Sequence, residues 1–535
     1  MIQGLELSAL GAVRYQTSSQ EHNVLDDANQ AVAYRTGMDD ATIREQNGLL
    51  YKDPDNPYAL PITLLPEGGI YQRQDRRMLG LDFRGTLSWN HLFAEKHITN
   101  FFAGMEVNSL KKAYSSFQGW GMQYSMGEIP SYVYQFFKNG IESGSRYYSL
   151  GHSETRSIAS FLNATYSYDG RYTLNGTFRY EGTNRMGRSR SSRWLPTWNL
   201  SGAWNVHEEA FFKALQPTLS NLTLKASYSL TADRPAEVTN SQAIIRSFSP
   251  YRPFTDIQET GLYIEDIENS ELTYEKKHEL NIGIDLGLLE NRINFSADWY
   301  QRNNYDLIGV VPTQGVGGFI NKYANVATMK SHGVEFTLST RNIRTKDFSW
   351  NTDFIFSYAK NEVTQLKGLT SMMELVSGNG FAREGYPVRG LFSIPFAGLD
   401  ADGIPQYLID GKLTTTGVNF QEREKLDYLK YEGPTDPTVT GSFGNVFTYK
   451  GFKLNVFMTY SFGNVVRLDP VFNYKYSDLT AMPREFKNRW TVSGDEAKTN
   501  IPVIISDPQY QANTSLYLAY NAYNYSTERI AKGDF

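Results

Sequence analysis

The chain has no cysteine. That excludes disulfide frameworks, zinc–thiolate sites and cysteine nucleophiles, and it leaves the compartment open. Mean hydropathy is −0.45, and no run of about 18 apolar residues occurs, which excludes a helical membrane span. A transmembrane β-barrel is untouched by that test, because its strands alternate apolar and polar residues. The net charge is only −5 over 535 residues, which gives no support for nucleic acid as a partner. The seven histidines have no H-E-x-x-H or related spacing. No G-x-S-x-G, P-loop or Rossmann glycine pattern stands in a supporting context, so neither an enzyme nor a bound cofactor is expected. The start, Met1-Ile2-Gln3-Gly4-Leu5-Glu6-Leu7, lacks a basic n-region and an apolar h-region; it is not a signal peptide, and for an exported protein it reads as processed, internal or truncated.

What is abundant is Tyr (36), Phe (31) and Gly (44), a mixture that favours strands and glycine-bearing turns. Alternation is the dominant pattern. Before Asp169-Gly170, the residues Ile158, Leu162, Ala164, Tyr166 and Tyr168 share one face, and Asn163, Thr165 and Ser167 the other. After it, Tyr172, Leu174, Gly176, Phe178 and Tyr180 oppose Arg171, Thr173, Asn175, Thr177 and Arg179. Asp-Gly is a preferred two-residue hairpin turn, because both residues tolerate positive φ. The same pattern returns at Leu79–Trp89, Phe101–Val107, Trp198–Val206, Leu222–Leu230, Leu280–Leu286, Ile293–Trp299, Val334–Leu338, Trp350–Tyr358 and Phe452–Tyr460. About thirteen strands of roughly 9–14 residues read this way, each long enough for a tilted bilayer crossing.

The connections sort by length. Short turns fall near 93–97, 169–170, 288–291, 342–347 and 450–451, with a medium one near 207–219. Long stretches fall near 110–153, 184–195, 232–273, 304–330, 363–440 and 464–512. Short turns on one rim and long loops on the other is the outer-membrane barrel arrangement. A soluble sandwich also alternates faces, but has no reason to sort its loops. Tyr168 and Tyr172 flank one short turn, and Tyr449 and Phe452 another; such rings suit an interfacial belt, and plain β-propensity places them equally well. A barrel must close, since an open edge in lipid leaves backbone groups unpaired. The fold expected is therefore all-β: an antiparallel transmembrane barrel, incomplete in this chain, in a bacterial outer membrane.

Four ordered stretches resemble the barrel of SusC/RagA-type TonB-dependent transporters. The first is Trp198 to Val206, with Gly202 and Trp204, followed by Leu222 to Tyr228. The second runs from Leu272-Thr273-Tyr274-Glu275-Lys276 through Asn281 to Asp285, Asn291-Arg292-Ile293 and Asp298-Trp299-Tyr300 to Asn325-Val326-Ala327 and Gly333-Val334-Glu335-Phe336. The third joins Arg383-Glu384-Gly385-Tyr386-Pro387-Val388 to Gly398-Leu399-Asp400-Ala401-Asp402-Gly403. The fourth joins Gly441-Ser442-Phe443-Gly444-Asn445 to Tyr449-Lys450-Gly451-Phe452. The resemblance covers most of residues 195–535. It implies a 22-stranded barrel plugged by an N-terminal domain, import of oligosaccharides or peptides energised through TonB, and a SusD-like surface lipoprotein as lid. Against that pattern, residues 1–535 read as barrel alone, without the plug, the TonB box or the last strands.

Asp400-Ala401-Asp402-Gly403 is like the start of a calcium loop, but position 411 is Gly where the twelfth-position Glu belongs; an Asx turn before a strand is the favoured reading. Glu271 with Glu275, and Glu422 with Glu424, have nothing to orient them as acid/base pairs. Arg188-Ser189-Arg190-Ser191-Ser192-Arg193 is either a solvated loop or a contact for lipopolysaccharide phosphates. The stretch 114–150 is rich in rings: Tyr114, Phe117, Trp120, Tyr124, Tyr132, Tyr134, Phe136 and Phe137. Rings there stack on cargo, meet a lid protein, or pack among themselves. Against the importer stands a second class: a passive porin-like or adhesive outer-membrane β-protein, or a secreted β-rich binding module.

Overall fold

A strand whose alternate residues are apolar needs a partner on each edge and an apolar medium on one face. In the computed structural model both requirements shape one large sheet. The structure describes residues 3–143, 147–187, 189–216, 218–233, 243–248, 261–315, 321–470, 483–505 and 512–534. Met1, Ile2 and Phe535, at the ends discussed above, lie outside the described residues, as does Arg188 of the basic run.

The wall strands, in chain order, are β1 (Leu5–Val24), β2 (Gly69–Phe93), β3 (His97–Gln123), β4 (Tyr148–Tyr168), β5 (Tyr172–Thr183), β6 (Trp194–Asn205), β7 (Leu219–Asp233), β8 (Glu275–Leu288), β9 (Ile293–Pro312), β10 (Asn321–Arg344), β11 (Phe348–Leu366), β12 (Val439–Tyr449) and β13 (Phe452–Phe462). Each pairs antiparallel with the next in that order. The path ends at β1 and β13, which are bonded to a wall strand on one side only, so the sheet is open.

Register separates the two faces cleanly. One row crosses the first seven strands as Leu7, Leu87, Ala103, Leu162, Phe178, Trp198 and Leu230. The next row carries Glu6, Ser88, Phe102, Asn163, Thr177, Asn199 and Ser229. The apolar row is not covered by a second layer: Leu7 is 80% exposed, and Leu81, Phe83, Leu174 and Leu200 are exposed as well. Such a surface is untenable in water and satisfied in hydrocarbon, which removes the sandwich and the soluble module. The polar face carries its charges as pairs, Arg179 with Glu106 and Glu181, Lys225 with Asp285, and Glu279 with Lys277 and Arg302. It is the lumenal side.

The turns follow from local chemistry. Asp169 and Gly170 adopt φ of 53° and 69°, and Lys450 and Gly451 adopt 42° and 91°, the left-handed pair that a two-residue hairpin requires. These turns, with 94–96, 206–216, 289–292 and 345–347, occupy one rim; the described connecting residues 25–68, 124–143, 184–187, 189–193, 313–315 and 367–438 occupy the other.

Three expectations need correction. The strands run from 11 to 27 residues rather than 9–14. The stretches 110–153 and 304–330, read above as long loops, are strand at both ends, because β3 continues to Gln123 and β9 to Pro312 while β4 begins at Tyr148 and β10 at Asn321. And β1, read only as a chain start, is a full wall strand. The cause is the same for the first two: above the hydrocarbon both faces of a strand are polar, so alternation vanishes while pairing continues.

Most of the molecule's large buried core lies outside the wall. The described parts of 367–438 and 463–534 pack together beyond the long-loop rim: Met372, Leu375 and Tyr523, from the helices Met372–Val376 and Leu516–Asn524, are buried with Phe392, Ile394 and Tyr407, and Tyr520 with Ala519 and Ile404. The first helix opens with a capping box between Ser371 and Glu374. Strand Val465–Arg467 pairs with Ile530–Lys532 to close the unit. Arg467 donates to the Phe392 and Ser526 carbonyls, and burial pulls its guanidinium down to about 10.

Candidate binding site at the extracellular rim of the wall

The ring-rich residues divide among strand, turn and helix. Tyr114 and Trp120 lie on β3, where even-numbered residues face the lumen, not on a loop. Tyr124 sits in a single helical turn after β3; its hydroxyl donates to Asn23 Oδ1 (3.2 Å) and to the Ile70 carbonyl (3.1 Å), and burial raises its pKa. Phe136 and Phe137 belong to the helix Tyr134–Ser143.

Trp120 is the hub. Tyr34, from the short helix Asn29–Arg35, meets it edge-on at 4.8 Å, and Phe136 lies at 4.5 Å. The chain of rings continues through Phe137 at 5.9 Å and Tyr147 at 5.1 Å to Tyr148 at 4.9 Å. Apolar area and edge-to-face quadrupole contacts both favour this arrangement. Lys138 fastens the helix to the 51–60 loop through Asp53 at 3.0 Å, and that hydrogen bond holds the Asp53 carboxyl below its usual range. Tyr132 and Tyr134, 86% and 73% exposed, stand clear of the ladder. Thus Trp120, Phe136 and Phe137 come together, Tyr124 braces the strand end, and Tyr132 and Tyr134 offer free ring faces.

Tyr114 stands apart. It lines a lumenal groove of about 550 Å³ with Gln16, Ser18, Arg76, Lys112 and Ser153, and the Arg76 guanidinium lies 6.0 Å from its ring. Sequence reading missed Tyr34, Tyr147 and this basic pair; only the register brings them beside the named rings.

The residues that carried the family resemblance prove to be architectural. The Tyr300 ring lies across Gly333 and the Tyr460 ring across Gly441, where a Cβ would collide. Trp204 stacks on Tyr172 at 6.2 Å, and both donate to Glu209. Asn325 closes a backbone gap, bonding the amide and carbonyl of Thr273 and the Asp306 carbonyl. Gly202 lies on the apolar face of β6 opposite Leu174 and Ala226, and Glu335 on the lumenal face of β10 opposite Asp298. Tyr386 packs between Phe392 and Tyr431, each 4.9 Å away, and the Pro387 carbonyl accepts from Gly390. Gly398, Gly403 and Gly451 have positive φ. Asp400 Oδ1 accepts from the amides of Asp402 and Ile404, an Asx turn leading into strand Pro405–Ile409. Glu422 caps three successive amides, and Glu275 accepts from the Ile308 amide. Among the described residues no group of three or more histidines and carboxylates is placed to hold a metal ion.

A single-layer antiparallel wall, apolar outside and polar inside, with short turns on one rim and long connections on the other, defines an outer-membrane β-barrel. The chain belongs to the family described as TonB dependent receptor-like, beta-barrel, whose profile matches residues 6–531. It is 25% identical over 514 residues to TonB-dependent receptor P3 of Formosa agariphila, covering 84% of this chain and 50% of that protein. It is 29% identical over 222 residues to TonB-dependent receptor SusC of Bacteroides thetaiotaomicron, covering 39% of this chain and 21% of that one. The fold superposes on a structure of the RagAB peptide transporter with a TM-score of 0.74 at 21% identity, covering all of this chain and 52% of the other. The chain spans about half the length or less of the curated relatives it matches. It is a TonB-dependent receptor-type barrel of the bacterial outer membrane, and the family is one of receptors.

Proposed function

We propose that this wall serves a TonB-energised importer of oligosaccharides or peptides, working with a plug that TonB acts on and with a SusD-like lipoprotein seated on the extracellular segments. The family match across residues 6–531 carries the reading. The name SusC among the relatives and the RagAB peptide transporter among the folds support it. The rim site fits such a role: exposed Tyr132 and Tyr134 give flat apolar faces for a sugar ring or a peptide side chain, and the groove at Arg76, Lys112 and Tyr114 lies below them on the lumenal side. The test is growth and uptake. A strain lacking the gene, complemented with the full-length protein, is supplied with labelled oligosaccharides or labelled peptides as sole carbon source. Uptake that needs the gene and stops when TonB is removed supports import. Uptake that continues unchanged without TonB identifies a passive pore instead.

A further inference from the structure

We propose that the outer wall of β1–β4 holds the phosphorylated headgroup of an outer-leaflet glycolipid of the lipid A class, gripped by Arg77, Lys111 and Arg156. The three side chains lie on the face that lower down meets hydrocarbon. On β2 the outward row passes from Leu79 to Arg77, on β3 from Ser109 to Lys111, and on β4 from Ile158 to Arg156. Pairing sets Leu79 beside Lys111 and Lys111 beside Glu154. The charges therefore begin on adjacent strands in a diagonal, each one outward position from the next, at the extracellular border of the apolar band.

A groove of about 500 Å³ opens at that border, lined by Tyr15, Arg77, Leu79, Lys111, Lys112 and Glu154 among others, with Arg156 at its edge through Glu154. Its floor is apolar and its upper wall is basic. Glu154 is the one carboxylate in it, bound by Arg156 at 2.8 Å and approached by Lys111 at 3.6 Å. Asp75, the nearest carboxylate along β2, is taken by Arg73 at 2.9 Å. On this outward face Arg73, Arg77, Lys111 and Arg156 stand against Glu21, Asp75 and Glu154, a surplus of one positive charge. Guanidinium and ammonium groups at this spacing suit phosphate oxygens. A free anion would answer the charge and ignore the floor. A lipid phosphate answers both, with its acyl chains running down over Leu79, Leu81, Val107 and Ile158. The site lies on the opposite face of the same strands from the lumenal groove, whose Arg76 and Tyr114 alternate with these residues and point the other way, while Arg77 and Lys112 border both. It rests on the outer-membrane setting of the wall and not on the import of cargo.

The experiment uses the full-length protein, extracted from its own outer membrane and reconstituted in neutral phosphatidylcholine nanodiscs doped with bisphosphorylated or dephosphorylated lipid A. Bound lipid is counted by mass spectrometry after washing. The wild type retains the phosphorylated form in preference. The variant Arg77→Gln/Lys111→Gln/Arg156→Gln loses about a hundredfold in retention, about fivefold for each basic residue near an anionic headgroup. Arg84→Gln, on the lumenal face of β2 below the groove, retains it unchanged, and Glu154→Gln retains more. Heat-modifiable migration on gels confirms that each variant is folded. Equal retention of dephosphorylated lipid A, unchanged retention by the triple variant, or displacement by millimolar inorganic phosphate would each overturn the proposal.

Discussion

Tyr300 on β9 lies flat across Gly333 on β10, its hydroxyl held where any Cβ at position 333 would stand. The Arg302 guanidinium sits 3.9 Å from the same ring. A Cβ at position 333 would meet the Tyr358 carbonyl as well as the Tyr300 ring, so the position works only as glycine.

Gly333→Ala should therefore cost about 1–3 kcal/mol, the usual range for overpacking a filled site. Gly202→Ala, where the nearest neighbour of a new Cβ is the Thr173 carbonyl at 3.8 Å, should be nearly neutral. Denaturant unfolding in vesicles compares the two; equal losses would show that the crowding by the Tyr358 carbonyl and the Tyr300 ring is not what demands glycine.

Leu162 and Asn163 are adjacent on β4 and face opposite media. Leu162→Arg should destabilise by about 2–4 kcal/mol, as for a cation near mid-bilayer on a lipid-facing strand position. Asn163→Arg should be tolerated, because the lumenal face already carries charge. The same unfolding assay decides; a reversed order would invert the two faces of the wall.

In the extracellular unit Arg529, only 4% exposed, makes a bidentate pair with Glu485 at 2.8 and 3.1 Å. Glu485 is 42% exposed, so Glu485→Gln, which weakens rather than removes the acceptor of a buried cation, should cost about 1 kcal/mol. Limited proteolysis of the 463–534 segment reads the loss, and a wild-type cleavage rate would mean that the Asp469 carbonyl, also bonded to Arg529, suffices.

Asp495 accepts from Lys498, from the Thr491 hydroxyl and from the Val492 amide, and these bonds bring its carboxyl down to about 2. A carboxyl depressed on folding adds stability above its unfolded pKa near 3.9, and that stability is lost as pH falls toward 2. Pepsin cleavage around 491–498 should rise between about pH 4 and pH 2 in the wild type, the interval set by those two pKa values. Asp495→Asn should flatten that rise.

Tyr132→Ala/Tyr134→Ala removes exposed rings and should weaken cargo binding about fivefold or more while leaving the melt unchanged, as for truncated anchor residues. Trp120→Ala should do the opposite first, lowering stability by about 3 kcal/mol through loss of a packed ring. Calorimetric melting and a binding titration separate the two roles. Equal binding by the double tyrosine variant would move the cargo site elsewhere on the rim.

The sequence by itself determined the wall wherever hydrocarbon meets it. Leu79 to Trp89 or Tyr172 to Tyr180 must alternate, because one face touches lipid and the next touches water, and Asp169-Gly170 must turn, because its backbone needs positive φ. Those constraints are local, so they were legible as far as they extended. Only the tertiary structure decided the rest. Trp120 gains Tyr34 from 86 residues away, and Arg77, Lys111 and Arg156 become neighbours through register alone. Above the membrane both faces of a strand see water, alternation carries no signal, and pairing between distant strands is what places those side chains together.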